Sequence, residues 1–160
     1  MTAITDFENA LAIVQANPSS SDFFGPAPDD NVEAAEQMLG IRMPPSYSKF
    51  LATLGVGSFD DAEFYGIVAN KIPGSSVPSM IWRTLEDRKL AGYPKTHVTI
   101  MSSGYGPIFC LDGSVVNSED EYPVVEWTPA TGAANPGERL ADSFGAFFLD
   151  EVSKRTSAQI

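Results

Sequence analysis

The chain has 160 residues and a formal net charge of −11, with 21 acidic residues against 10 basic ones. Its hydrophobic fraction of 43% and aromatic fraction of 11% exclude a disordered chain and are typical of one folded domain. The acidic excess argues against nucleic acid or an anionic membrane as the partner, because proteins that bind phosphate groups carry an excess of Lys and Arg.

The chain also lacks the signals of secretion and membrane insertion. Cys110 is the only cysteine and cannot form an internal disulfide, and the N-terminus lacks the basic start and apolar run of a signal peptide. No apolar stretch approaches the ~20 residues that span a bilayer. We therefore expect a soluble cytoplasmic protein.

Three helices are predicted in the first third of the chain, from helical spacing of apolar residues between cap and stop signals. The segment between the first two is rich in Ser, Pro and Asp, which predicts a loop held to the body by Phe23 and Phe24. The predicted helices run from a capping box at Thr5 and Glu8 to Asn17-Pro18, from Asp30 to Gly40, and from Pro44-Pro45 to Gly55.

From Gly57 onward the pattern shortens to that of β-strands, over residues 63–68, 97–101, 107–111 and 123–127. Asp112-Gly113 is a turn dipeptide followed by Val115-Val116, so a hairpin is predicted over residues 107–117. Two further helices are predicted, over residues 79–90 with Ile81 and Leu85 inward, and from Ser143 to Lys154.

This order of elements predicts an α+β fold. It consists of N-terminal helices packed with a mostly antiparallel sheet of about four to six strands, and a C-terminal helix. Trp127 is expected to share one core with Phe144, Phe147 and Phe148, between the last strand and the final helix.

The residues offer little for catalysis or for a cofactor. His97, the only histidine, lies in a predicted strand, and Cys110 lies between apolar neighbours without an activating cation. We expect both to be ordinary strand residues. The chain contains neither a zinc ligand set nor a complete dinucleotide or phosphate-binding motif, so no metal and no cofactor are expected.

Several stretches share the order and spacing of a known family. They are residues 32–51 (VEAAEQMLGIRMPPSYSKFL), 55–57 (GVG), 63–67 (EFYGI), 109–112 (FCLD), 123–127 (PVVEW) and 143–149 (SFGAFFL). Together they resemble the SUKH superfamily, which joins yeast cell-wall-assembly regulators to many bacterial immunity proteins. The chain accordingly divides into an N-terminal helix and loop extension (1–30), a SUKH-like domain (31–154) and a short tail (155–160).

The resemblance implies a non-enzymatic protein that binds a toxin, often a nuclease, and neutralises it. A housekeeping scaffold or regulator is the alternative, and an enzyme is the least favoured of the three. The acidic balance favours a basic partner, because an acidic surface speeds the encounter with one.

Two acidic loops flank strands and are the predicted partner-binding residues: Asp60, Asp61 and Glu63, and Glu119, Asp120 and Glu121. The alternative interpretation is two solvated charge runs that bind nothing. If recognition does not use these loops, the aromatic candidates are Phe23, Phe24 and Trp82.

Overall fold

The computed structural model describes residues 2–129 and 137–158, with side chains up to residue 156. Its elements, in chain order, are α1 (Ala3–Ala16), β1 (Ser21–Phe23), α2 (Asp29–Leu39), α3 (Pro45–Thr53), β2 (Gly57–Phe59), β3 (Ala62–Phe64), α4 (Met80–Asp87), β4 (His97–Ser102), β5 (Ile108–Asp112), β6 (Val124–Trp127), β7 (Arg139–Ala141) and α5 (Phe144–Ala158). The predicted α+β class is confirmed. No helix among the described residues is long and apolar enough to span a bilayer.

The strands form two antiparallel sheets, in the orders β1-β2-β3 and β4-β5-β6-β7. The backbone links them just after β3, where the Tyr65 N–H donates to the Ile100 carbonyl at 2.8 Å. The register of β4 against β5 shifts between Thr99 and Met101, so Ile100 is the extra residue of a β-bulge. The bulge frees the Ile100 carbonyl to join the sheets.

Glycine and proline set the ends of α2 and α3, as predicted. Gly40 and Gly55 have φ angles of 70° and 75°, the left-handed conformation in which helices commonly end, and Pro45 occupies the first turn of α3. A side chain is excluded at Gly55 for a second reason, because an added Cβ would overlap the carbonyl oxygen of Gly25.

The predicted N-caps of the first two helices are wrong. In α1 the cap is Thr2, whose hydroxyl accepts from the Thr5 N–H at 3.1 Å, so the helix begins before the predicted capping box. In α2 the helix begins at Asp29 after Pro28, without a side-chain cap. In α1 an earlier threonine takes the capping role, and in α2 the extended Pro28 sets the start without a side-chain hydrogen bond.

The segment between α1 and α2 is more regular than predicted. It contains a 3₁₀ turn over Pro18–Ser20 and the edge strand β1, which pairs with β2. The Phe23 ring packs edge-on against Phe50, with centroids 6.3 Å apart, whereas Phe24 is 64% exposed. Only the first of the two phenylalanines therefore anchors this segment.

The predicted hairpin over residues 107–117 is wrong. The Asp112 carboxylate accepts from both the backbone N–H and the hydroxyl of Ser114, at 3.0 and 2.6 Å, and this local turn directs the chain away from the sheet. The neighbour of β5 is instead β6, which begins after an eleven-residue connection. Val115 and Val116 stay outside any strand and are exposed.

The four-stranded sheet has a core on each face because side chains alternate along its strands. Phe109, Leu111 and Val124 face the main core under α5, while Cys110 and Trp127 belong to a second cluster on the opposite face. The prediction that Trp127 packs with the phenylalanines of α5 is therefore wrong. Those three rings, Phe144, Phe147 and Phe148, are buried together in the main core.

Helices α1 and α5 pack in parallel with close backbone contact. Their N-terminal ends meet at Gly145, where an added Cβ would overlap the carbonyl oxygen of Ala3. The Phe7 and Phe148 rings stack one turn further on, at 5.7 Å between centroids. α5 runs four residues past the predicted end at Lys154, and residues 159–160 of the predicted tail lie outside the described residues.

Candidate functional site

The first predicted acidic cluster lies on the hairpin between β2 and β3. Asp60 and Asp61 form its two-residue turn and Glu63 is exposed on β3. The Asp61 carboxylate accepts from Arg155 Nε of α5 at 2.7 Å, and this hydrogen bond, with the guanidinium charge, holds the pKa of Asp61 below its usual value. This cluster therefore adjoins the C-terminal end of α5.

The second predicted cluster includes a residue that belongs to the interior. Glu121 is 1% exposed, and its two carboxylate oxygens accept from the backbone N–H and the hydroxyl of Ser46, both at 2.8 Å. Ser46 lies in the first turn of α3, where backbone N–H groups lack helical partners. Glu121 thus caps a helix from a distant loop and is not available to a partner.

Two more helix N-termini reach the same loop. The Gly145 N–H, in the first turn of α5, donates to Ser46 Oγ at 2.9 Å, and the Ala3 N–H of α1 donates to Glu119 Oε1 at 2.9 Å. The positive ends of α1 and α3 therefore meet the carboxylates of Glu119 and Glu121, and the end of α5 joins them through the Ser46 hydroxyl, which is a favourable arrangement of helix dipoles and anions. Part of the acidity of this loop is structural.

Burial and hydrogen bonding act on Glu121 in opposite directions. Burial disfavours the carboxylate and raises the pKa of Glu121, while the two hydrogen bonds from Ser46 oppose that shift. Burial dominates, so Glu121 takes up a proton at higher pH than an exposed glutamate.

The two clusters do not share one surface. Glu119 adjoins the N-terminal end of α1 and Asp61 adjoins the C-terminal end of the parallel helix α5. The 14 residues of α1 span about 20 Å, at a rise of about 1.5 Å per residue. A single contact patch of modest size would reach one cluster or the other.

A groove of about 540 Å³ lies beside the second cluster, and we call it the α2 groove. One wall is α2, the floor is the turn into α3, and the other wall is the loop over residues 113–122. Its lining residues are Val32, Glu36, Arg42, Met43, Pro45, Ser48, Val116, Asp120 and Tyr122. A shallower depression lined by Glu33 shares Glu36 and Arg42 with it.

The α2 groove combines carboxylates with apolar walls. Glu36 Oε2, on the α2 wall, accepts from the Met43 N–H at 2.8 Å. This hydrogen bond holds the Glu36 carboxylate against the floor of the groove. Tyr122 lies between charges of both signs: burial chiefly raises the pKa of its hydroxyl, Glu36 and Asp120 raise it further, and Arg42 opposes them. Asp120 itself is exposed, at a φ of 63°.

A buried polar cluster behind β4 is the strongest candidate for chemistry. Thr99 Oγ1 donates to Asp87 Oδ2 at 2.7 Å, and Arg83 Nε donates to both oxygens of Asp87, at 3.0 and 3.2 Å. Cys110 lies 3.8 Å from Thr99 Oγ1, but it is fully buried and burial raises the pKa of its thiol to about 12. Such a thiol is an inert core residue.

His97 is no better placed than Cys110 to act as a catalytic residue. It is buried in β4, and burial lowers the pKa of its imidazole while Asp112, 3.9 Å away, opposes the shift. Within residues 2–129 and 137–156, no three His, Cys, Asp or Glu side chains are placed to hold a metal ion. No chemistry is therefore assigned to these residues, and the α2 groove, which combines charged groups with apolar walls, is the candidate binding surface.

Most residues of the α2 groove escaped the sequence analysis. Asp120 was among the predicted site residues. Glu36 was assigned to the second predicted helix, Arg42 to the connection between the second and third helices, and Val116 to a strand of the predicted hairpin. The one usable signal was Val115-Val116 beside an acidic run, which marks an apolar pair in a polar loop. The approach of that loop to α2 is a long-range contact that no local pattern encodes.

The chain also matches a known protein family over nearly all of its length. The family model SUKH_5, described as SMI1-KNR4 cell-wall, matches residues 7–153 and so includes α1 as well as the region that carried the resemblance. The chain therefore belongs to the SUKH superfamily.

Proposed function

We propose that this chain is a non-enzymatic immunity protein that binds a basic toxin, such as a nuclease, and neutralises it by covering its functional surface. The observation that carries the proposal is the uneven distribution of charge. Residues 1–70 contain ten acidic residues against only Arg42 and Lys49. A surface with such an acidic excess attracts a basic partner and can mimic the nucleic acid that a nuclease binds.

The state of the reactive side chains supports inhibition by binding rather than by chemistry. Cys110 and His97 are buried, and burial shifts the pKa of each toward its neutral form. A protein that inhibits by covering a surface needs complementary shape and charge but no nucleophile.

A second candidate is a regulatory scaffold that binds a cellular protein. The description of the matching family, SMI1-KNR4 cell-wall, favours it. The two candidates make different predictions: an immunity protein abolishes the activity of one toxin at equimolar concentration, whereas a scaffold leaves its partner active.

The test is association with the product of a neighbouring gene that encodes a toxin domain, which we call the adjacent toxin. We expect inhibition at a 1:1 ratio, with an association rate that falls as salt rises, because salt screens the attraction between exposed charges. Reversal of Asp60 and Asp61 to Lys changes the net charge by +4 and should slow association at low salt through the long-range field, without contact with the partner. Glu119 is left unchanged, because its carboxylate accepts from the first turn of α1. Glu121 is left unchanged in this variant, because its reversal would place a cation against the first turn of α3.

Each variant must first unfold in urea at the same midpoint as the parent protein. An adjacent toxin that neither binds the parent protein nor loses activity in its presence would contradict the proposed function. Salt-independent association would contradict only its electrostatic basis.

A further inference from the structure

The loop over residues 113–122 presents an apolar side chain to solvent from a rigid base. Val116 is 56% exposed because the turn at Asp112 keeps it out of the sheet. The Asn117 side chain accepts from the N–H groups of Glu119 and Glu121, at 2.8 and 3.0 Å. The Ala3 N–H of α1 and the Ser46 N–H of α3 donate to the carboxylates of those two residues, so the base of the loop that carries Val116 is held before any partner arrives.

This rigidity distinguishes the loop from a solvated charge run. A loop that is already ordered loses little conformational entropy when a partner binds, and that loss is one of the main costs of association. Recognition residues are commonly found on loops that a rigid scaffold positions.

The walls of the α2 groove define the chemistry of its occupant. Val32, Met43 and Val116 provide apolar surface, while Glu36 and Asp120 place carboxylates on opposite walls. Glu33 extends the negative surface into the adjoining depression, and among the residues that the structure describes Arg42 is the one cation lining the groove and the depression. The groove therefore complements an apolar side chain that is flanked by positive charge.

We propose that the α2 groove is the docking site for a loop of the basic partner, which inserts an apolar side chain against Val32 and Val116 and places a Lys or Arg against Glu36 and Asp120. The proposal rests on the proposed function and adds the surface on which it operates. It assigns Asp120, but not Asp60, Asp61 or Glu63, to the interface.

Two matched pairs of variants separate the α2 groove from the rest of the surface. Val116→Arg is compared with Val77→Arg, because Val77 is also an exposed valine, 38% accessible, but lies in a different groove. Asp120→Asn is compared with Asp60→Asn, because both aspartates are exposed and have positive φ angles of 63° and 52°. Asn tolerates that conformation, so each change removes a charge without backbone strain.

For the adjacent toxin, Val116→Arg should weaken binding at least about tenfold, whereas Val77→Arg should stay within about twofold of the parent protein. Asp120→Asn should slow association about threefold at low salt, with no change for Asp60→Asn. Equal effects within either pair, in variants that unfold like the parent protein, would overturn the assignment of the groove while leaving the proposed function in place.

A probe that does not need the toxin tests the same surface. The peptide acetyl-Gly-Lys-Leu-Lys-Gly-amide should shift the NMR signals of Val32, Met43, Val116 and Tyr122 of the parent protein. The control peptides with Ser in place of Leu, and with Glu in place of both Lys, should shift them less. Shifts that map outside the α2 groove, or shifts of equal size with all three peptides, would overturn the proposal even if no toxin is found.

A second copy of this chain is the other occupant that the test can reveal. If sedimentation shows a dimer that Val116→Arg dissociates and Val77→Arg does not, the α2 groove is a self-association surface and the basic-partner assignment is wrong. A monomer at the concentrations of the peptide titration is the expected result.

Discussion

Replacement of Glu121 by Ala tests whether the acidic loop is structural. The change removes the acceptor for two hydrogen bonds from Ser46 and leaves the Ser46 N–H buried in the first turn of α3. An unpaired buried donor costs about 1–3 kcal/mol, and loss of an anion from a helix N-terminus costs about 0.5–1 kcal/mol. Relief of the buried charge offsets part of this, so we expect a loss of about 2 kcal/mol of unfolding free energy.

The measurement is urea unfolding followed by far-ultraviolet circular dichroism, with the slope of the transition used to check that the unfolded states are comparable. Glu119→Ala is the matched control in the same loop, because Glu119 is exposed and accepts one hydrogen bond, from Ala3. Its cost should be about 1 kcal/mol or less. A loss below about 1 kcal/mol for Glu121→Ala would refute the capping role.

The pH dependence of the same residue gives an independent check. Burial raises the pKa of Glu121 above the value of 4.5 that it has in the unfolded chain. The folded state therefore binds this proton more tightly, so the contribution of Glu121 to stability is fully present below pH 4.5 and is lost as pH rises through the folded pKa. Glu121→Gln removes this titration, so the parent protein should gain stability relative to that variant as pH falls from 7 toward 4.5. A pH-independent difference would show that Glu121 titrates normally.

Three further changes test the packing. Gly145→Ala should cost about 2 kcal/mol, because its Cβ would overlap the Ala3 carbonyl and push α1 away from α5; unchanged urea unfolding would contradict the close helix contact. Phe147→Ala should cost about 3–5 kcal/mol because the ring is buried in the main core, and a cost below about 1 kcal/mol would place it at the surface. Asp61→Asn should change stability by less than about 1 kcal/mol, since the pair with Arg155 is exposed on the Asp61 side, and a larger loss would reveal a structural role.

Local signals were sufficient for most of the helices and strands. Gly40, Gly55 and Pro45 act through their own backbone preferences, which do not depend on the rest of the fold, so the ends of α2 and α3 could be predicted. Short β-prone runs bounded by turn residues likewise predicted β4, β5 and β6. The edge strands β1 and β7 have three residues each, too few for a pattern to be recognised.

The errors arose where a distant contact or a competing local bond decides the structure. The Asp112 side chain forms its own turn with Ser114, and that bond replaces the tight hairpin that Asp-Gly usually indicates. Glu121 resembles a solvated acid in the sequence, yet its partner Ser46 lies 75 positions away. The candidate site could therefore be predicted only in part, because Asp120 lies at the α2 groove whereas the floor and the opposite wall come from the region of α2 and α3.

The parallel contact of α1 and α5 has a consequence for how the chain folds. Ala3 and Gly145 pack against each other although they lie about 140 positions apart in the chain. During synthesis α1 emerges well before α5, and its apolar face, which includes Phe7 and Val14, lacks its main partner until α5 has been made. Contacts of such long sequence separation slow folding, since a large loop must close before they form. Completion of the main core is therefore a late event, and α1 is the segment most exposed to wrong associations before it occurs.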